Sequence, residues 1–277
     1  MNEQKQYSLV IEAGKTERKY WKDLWNYREL LYFLSWRDIL VRYKQTVIGV
    51  VWAVLRPFLT MVAFTIVFGK IADLPSEGDA PYAIMVFVAL LPWQLFSTSL
   101  TESSNSLVAN SALISKVYLP RLLVPMSSIA VNAIDFCISF GLLIILMVWY
   151  QFAPAMQIMA VIPFTLLAGI VALGPGLLLC SLNVTYRDFR YVIPFITQFG
   201  LYISPVGFSS GIVPEKWRLI YELNPMVGVI DGFRWTIIGN IEFPGRALLI
   251  TLIVATLFIF VGIRVFRKTE RTFADVI

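Results

Sequence analysis

The amino-acid sequence predicts an all-α fold: a polytopic membrane protein with six transmembrane helices and both termini cytoplasmic. Three observations carry that expectation. Of 277 residues, 58% are hydrophobic and only 15% are charged. The apolar residues fall in runs of about twenty, the length that crosses the hydrocarbon core of a bilayer. Most of the 23 Lys and Arg residues sit on alternate polar segments, which orients the chain through the positive-inside bias.

In chain order, residues 1–45 read as a cytoplasmic tail followed by an amphipathic interface helix. The tail is polar apart from Tyr7 to Ile11. Helix is expected from about Thr16, with Trp21, Leu24, Trp25, Leu31 and Tyr32 on one face and Lys19, Lys22, Asp23 and Asn26 on the other. This segment lacks a short apolar core with a small-residue cleavage site, so the first span itself is expected to direct insertion. Arg37, Arg42 and Lys44 flank that span and mark the cytoplasmic side.

Residues 46–277 read as the six-helix membrane domain. The first span, about Thr46 to Gly69, carries Arg56 beside Pro57. A guanidinium at membrane depth costs ~2.5 kcal/mol or more unless it snorkels, pairs or faces water. Arg56 is therefore a candidate for the translocation path; the competing reading reaches it to the inner interface or pairs it with an acid. Asp73, Glu77 and Asp79 place the loop from Ala72 to Ala80 outside. A second span runs from about Pro81 to Ser106 and a third from about Leu122 to Tyr150. Glu102 and Asp135 lie within them and require donors from neighbouring helices or water.

Between these spans, Asn105 to Arg121 reads as an intracellular elbow. Leu107, Ile114, Val117 and Tyr118 share one side of a helical wheel with Lys116 opposite, so an amphipathic helix is expected to lie flat at the membrane surface. A fourth span, about Ile158 to Leu182, contains Gly174-Pro175-Gly176, which permits a kink or a close helix contact. Asn183 to Arg190 is a second cytoplasmic loop with Arg187. The fifth span covers about Tyr191 to Phe208, and the sixth about Ala247 to Phe266 before a basic end.

Residues 209–246 form an external segment with two short helices. Pro214 opens one over Glu215 to Leu223; Asn224 as cap and Pro225 at the first helical position open the other, Met226 to about Ile238. With Trp217, Phe233 and Trp235 this pair is expected at the outer interface or dipping inward as a re-entrant gate. On the fifth span, Tyr191, Phe195, Gln198, Phe199 and Tyr202 fall within about a 100° arc. Aromatic faces with polar handles suit a sliding sugar chain, whereas the plainer reading of the stripe is interhelical packing.

The sequence also excludes chemistry. It contains no histidine, so a histidine base or metal ligand is ruled out, and no acid cluster in one polar loop suggests a metal-dependent transferase. Cys137 and Cys180 sit inside apolar runs and read as free, buried thiols. Gly14-Lys15-Thr16 echoes a phosphate-binding loop, but Leu9 stands where that pattern needs glycine. The basic residues report orientation and give no case for nucleic acid.

Several long motifs in order, WRDILVRYKQTVIGVVWAVLRP, LLPWQLFSTSL, NSLVANSALISKVYLPR, NVTYRDFRYVIPF, SPVGF and LNPMVGVIDGFRW, resemble the permease of type 2 ABC exporters that move lipid-linked polysaccharide across the bacterial inner membrane. The resemblance covers nearly the whole chain. It implies a homodimer of permeases with no cofactor of its own, carrying two copies of a separate ATPase that binds ATP and Mg and exporting O-antigen, capsule or teichoic-acid type polymers. It further implies that the elbow is the coupling helix seated on the ATPase, so Ile114, Lys116, Tyr118 and Arg121, with Arg187 of the next inner loop, are expected at that contact. A permease for a small lipid or drug, and a nucleotide-independent flippase, are the alternative readings.

Overall fold

The computed structural model describes residues 20–44, 47–117, 119–186, 188–270 and 273, with the side chains of 47–50 outside that description. The tail before Tyr20, Tyr118 and Arg187 therefore lie outside the described residues. Eleven α-helices run through the described chain: α1 Tyr20–Asn26, α2 Arg28–Lys44, α3 Val47–Phe64, α4 Tyr82–Ala109, α5 Ser111–Ile114, α6 Leu123–Trp149, α7 Val161–Thr185, α8 Phe189–Ile203, α9 Glu215–Glu222, α10 Pro225–Ile237 and α11 Gly245–Thr269. A π-helical turn, Thr65–Ile71, extends α3. No strand occurs among the described residues.

Among the described residues, five helical segments are long and apolar enough to cross a membrane: Val51–Ile71, Tyr82–Ala109, Leu123–Trp149, Met156–Thr185 and Gly245–Thr269. The expected fifth span is shorter than the sequence suggested. Its helix, α8, has 15 residues, about 22 Å at 1.5 Å per residue, against ~30 Å of hydrocarbon. Helix stops at Ser204, whose ψ of 154° is extended, because Pro205 disfavours helical geometry in the residue before it.

The helix α4 organises the bundle. Over its most apolar window it is 83% buried, against 17–33% for the other four spans, and it packs against α3, α6, α7, α8 and α10. Here α10 wedges into the body between α4, α7 and α11, and its start follows the expected local chemistry: the Asn224 side chain accepts from the Met226 amide at 3.1 Å, with Pro225 at the first helical position. The Gly-Pro-Gly segment acts through close contact, since α7 continues unbroken past Pro175. A Cβ on Gly174 would meet the α11 backbone at Ile259, 2.7 Å away, so only glycine lets α7 and α11 approach this closely.

Two hydrophobic clusters divide the molecule. The larger fills the middle and one end of the bundle, around Phe87, Leu90 and Phe233. The smaller gathers Leu34 of α2, Leu107 of α4, Leu119 to Val124, Leu177, Cys180 and Val184 of α7, and Phe266 and Phe273 from the chain's C-terminal part. The far ends of α4, α7 and α11 and the N-terminal helices thus meet at one end of the molecule. The other end holds the 72–81 loop, α9 and the start of α11, joined by Arg246 to Glu222 at 2.8 Å and by Asn240 to Asp79 at 3.1 Å. Residues 186–244 must therefore carry the chain from one end to the other.

Three local expectations need correction. The expected flat helix over 105–121 is not a single helix. Asn105 to Ala109 complete α4, with Leu107 fully buried in the body, and helix resumes for only the four residues of α5. Asn183 belongs to α7 rather than to a loop, and its amide nitrogen donates to the Ser104 carbonyl at 3.1 Å and to Asn105 Oδ1 at 3.0 Å. Cys137 is exposed at the surface of the chain, while Cys180 is buried and both are free.

Candidate functional site

Between Ala83 and Leu107, the partly exposed positions of α4 are Gln94, Ser97, Thr98, Thr101, Glu102 and Asn105. All six are polar. Their spacing of three and four places them in one stripe along the helix, a pattern that is readable in the sequence but hidden there by the apolar run around it. The hydroxyls and Asn105 return hydrogen bonds to their own helix: Thr98 to the Gln94 carbonyl at 2.6 Å, Thr101 to Ser97 at 2.8 Å, and Asn105 to Thr101 at 2.8 Å. The hydroxyl donors are thereby satisfied on the helix itself, while Asn105 Oδ1 accepts from Asn183 of α7.

The stripe opens into a cavity of about 300 Å3 between α2, α3, α4 and α6, lined by Arg42, Arg56, Gln94, Thr98, Glu102 and Asp135 among others. Arg42 of α2 is the donor that Glu102 and Asp135 were expected to need. One guanidinium nitrogen reaches Asp135 Oδ2 at 2.6 Å and Asn132 Oδ1 at 3.0 Å, the other pairs with Glu102, and the Tyr43 hydroxyl donates to Asp135. The pairing compensates two carboxylates within spanning helices. Sequence reasoning used Arg42 only as an orientation marker, because a basic flank and a buried donor look alike without the fold. Arg56 is exposed, lines the same cavity and makes no ion pair among the described residues.

Against α4 also packs α8. It touches the body along a narrow face through Ile193, fully buried, and Gly200, where a Cβ would meet the Trp93 ring of α4 at 2.6 Å. The aromatic stripe faces away from the chain's own core: Tyr191, Phe195, Gln198, Phe199 and Tyr202 are all exposed, Tyr191 at 79% and Phe195, Phe199 and Tyr202 each above 50%. Phe195 and Phe199 lie 4.3 Å apart, and Tyr202 stacks on Phe64 of α3 at 6.2 Å and 14°. Packing within this chain does not explain the stripe.

The elbow lies at the end of the molecule that holds the smaller core. Ile114 is half-buried against the smaller core, Lys116 is exposed, and Arg121 is turned inward, donating to the Glu270 carbonyl and lying over the Phe273 ring at 5.9 Å. At the other end, Trp217 is exposed on α9, and Trp235 packs edge-on against Phe243 at 4.9 Å. Phe233, expected at the outer interface, is fully buried against Phe136 and Phe164 because α10 sinks into the bundle.

Sequence reasoning missed Arg234, which is wholly buried. It donates to the carbonyls of Phe208 at 3.0 Å and Val206 at 3.3 Å and approaches Glu77 at 3.5 Å, fixing the turn after α8 to α10. Beside it, burial pushes the Asp231 carboxyl, outside the five spans, up to about 6. No group of acids or cysteines able to hold a metal ion occurs among the described residues.

Residues 29–238 match the family described as ABC-2 type transporter. The chain is 25% identical over 252 residues to an O-antigen export system permease protein RfbA of Klebsiella pneumoniae, covering 90% of this chain and 95% of that one. A second Klebsiella pneumoniae protein of the same name is 26% identical over 253 residues, with the same coverage. A Myxococcus xanthus protein of that name is 25% identical over 256 residues, covering 92% of this chain and 97% of its own.

Proposed function

This chain belongs to the ABC-2 type transporter family, and on that premise we propose that it is the transmembrane subunit of an ATP-driven exporter of lipid-linked polysaccharide, of the O-antigen, capsule or teichoic-acid class, in the bacterial inner membrane. It is a transport permease and not an enzyme; hydrolysis of ATP with Mg belongs to a separate ATPase chain. Two permeases form the path, each carrying one ATPase on its elbow.

The observation that carries this reading is the open polar stripe of α4 beside the exposed aromatic face of α8. A stripe of Gln94, Ser97, Thr98, Thr101, Glu102 and Asn105 facing hydrocarbon would be strongly unfavourable. Facing water and sugar hydroxyls, the same side chains are at ease, and rings such as Phe195, Phe199 and Tyr202 stack on the C–H faces of pyranoses without holding any one sugar tightly. A hydrated polymer cannot cross ~30 Å of hydrocarbon alone, and the stripe and the rings are open on the outside of one chain, so a second copy closing over them completes a channel. Arg56, in the same cavity, belongs to that path.

Six crossings with both termini inside fit the packing as well. The ends of α4, α7 and α11 meet α1 and α2 in the smaller core, so the segment from α8 to α10 has to make the return crossing, with α10 re-entrant from the outer side and Trp217, Trp235 and buried Phe233 as parts of an external gate. The elbow, Ile114 and Lys116 with Tyr118, Arg121 and Arg187, forms the ATPase seat through apolar contact and basic charge.

Reconstitution tests the function. The permease and its ATPase in proteoliposomes should hydrolyse ATP faster when lipid-linked glycan is present and should move that glycan across the bilayer. Stimulation by a small amphiphile with none by the glycan would contradict the proposal.

A further inference from the structure

The elbow leads into α6 through Leu119 to Leu122, but α6 is not its only attachment. Arg121, at its far side, donates to the main-chain oxygen of Glu270 and lies over the ring of Phe273, which packs edge-on against Phe266 at 5.5 Å. One turn back along α11, the Arg267 guanidinium lies over the ring of Tyr20 on α1 at 4.7 Å. The Tyr20 hydroxyl is buried beside the Glu270 carboxyl, and burial raises the pKa of both groups above their ordinary values. On the near side of the elbow, Arg37 of α2 donates to Asn110 Oδ1 at 2.8 Å. The elbow is thus fastened to the N-terminal helices at one side directly and at the other through the end of α11.

These fastenings sit on a closed hydrophobic cluster. Leu34, Leu107, Leu119, Leu122, Val184, Phe266 and Phe273 are each less than a tenth exposed. Close-packed interiors resist shear and pass displacement on as rigid shifts. Cation–ring and guanidinium–carbonyl contacts removed from water are stronger than their surface equivalents. The exposed part of the elbow, Ser115 to Val117, is by contrast free to meet a partner.

We infer that the C-terminal end of α11 is a transmission bracket: Tyr20, Arg267, Glu270 and Phe273 are positioning residues that make the N-terminal interface helix and the last span move together with the elbow when ATP is bound and hydrolysed. This inference rests on the elbow being the ATPase seat. The stroke then reaches four elements at once, α1, α4, α6 and α11, rather than only the two helices that flank the elbow.

The test uses the full permease–ATPase complex in proteoliposomes. Spin labels at Lys22→Cys on α1 and Ala112→Cys on α5, both exposed positions, report whether the two elements move as one body. In the wild-type background their separation should stay constant between nucleotide-free and ATP-bound states. In Arg267→Gln and in Tyr20→Leu, each of which removes the cation–ring contact with little change of volume, the separation should vary with nucleotide, and ATP hydrolysed per polymer exported should rise by about three- to tenfold. Rescue is expected from Tyr20→Phe, which keeps the ring. A label separation that changes with nucleotide in the wild-type background overturns the bracket, and so does an unchanged coupling ratio in both variants. Cross-linking of Lys116→Cys to the ATPase is scored in the same samples. Its absence refutes the seat, and the bracket with it, whereas its presence with failed label results refutes the bracket alone.

Discussion

The helices α4 and α8 lie against each other through Trp93 and Gly200, yet they meet their surroundings in opposite ways. The first is buried nearly all round and leaves one polar stripe open; the second is exposed nearly all round and leaves one narrow face, centred on Ile193, against the body. One presents hydroxyls that donate to its own backbone. The other presents a face of exposed rings. The difference teaches that hydropathy alone does not sort inside from outside: residues that look like core on α8 face outward, and the polar residues of the apolar span α4 share its one open stripe.

The largest effect should come from destroying the α4 side of this contrast. Ser97→Leu together with Thr98→Leu should lower export by more than about tenfold, or ~1.4 kcal/mol of barrier, while leaving thermal stability equal or improved. Glycan transport in proteoliposomes and a melting curve measure the two. A double variant that exports normally would mean the stripe faces no substrate.

A second effect, on stability, concerns the compensation of Glu102, the one acid in the stripe. Arg42→Ala leaves Glu102 and Asp135 without their shared donor. Losing one partner of a buried pair costs about 3–5 kcal/mol, and with these side chains roughly a third exposed about 2 kcal/mol is expected. Denaturation of the purified permease checks this. A double variant, Arg42→Leu with Glu102→Gln, should recover part of the loss.

On α8 the expectation reverses. Phe199→Ala should reduce export yet cost under about 1 kcal/mol of stability, because the ring is over half exposed; Ile193→Ala, at the buried contact, should cost about 2–4 kcal/mol. Equal stability losses from the two would erase the distinction between the exposed and packed faces of α8.

A last effect concerns Asp231 of α10, beside Arg234. Burial holds the Asp231 carboxyl at about 6 against an ordinary 3.8. The folded chain therefore keeps this proton more tightly than the unfolded chain. The contribution to stability is present in full below the ordinary value and is lost as pH rises toward 6. Asp231→Asn should flatten that decline, as melting curves from pH 4 to 7 would register.

Much of this was legible in residues, and the failures have physical causes. The caps and prolines around α9 and α10 set their limits locally, so Asn224 and Pro225 marked the helix start correctly. Burial of Phe233 was not legible, because a short amphipathic helix reads alike whether it lies on a membrane or sinks into a bundle. The same holds for Arg42: its role depends on Glu102 and Asp135, 60 and 93 residues away. The stripe on α4 was legible by its spacing. The aromatic stripe on α8 stands out by its rings, whereas small hydroxyl residues in membrane helices commonly serve helix packing.

The central claim is that the α4 stripe and the α8 rings face one aqueous path. The direct measurement places single cysteines at Ser97, Thr101, Phe195 and Phe199, in a background without Cys137 and Cys180, and follows their reaction with a membrane-impermeant thiol reagent in the permease–ATPase complex during turnover. The account predicts that all four react during ATP hydrolysis and are protected by lipid-linked glycan. Four unreactive cysteines in a complex that still exports glycan would contradict it.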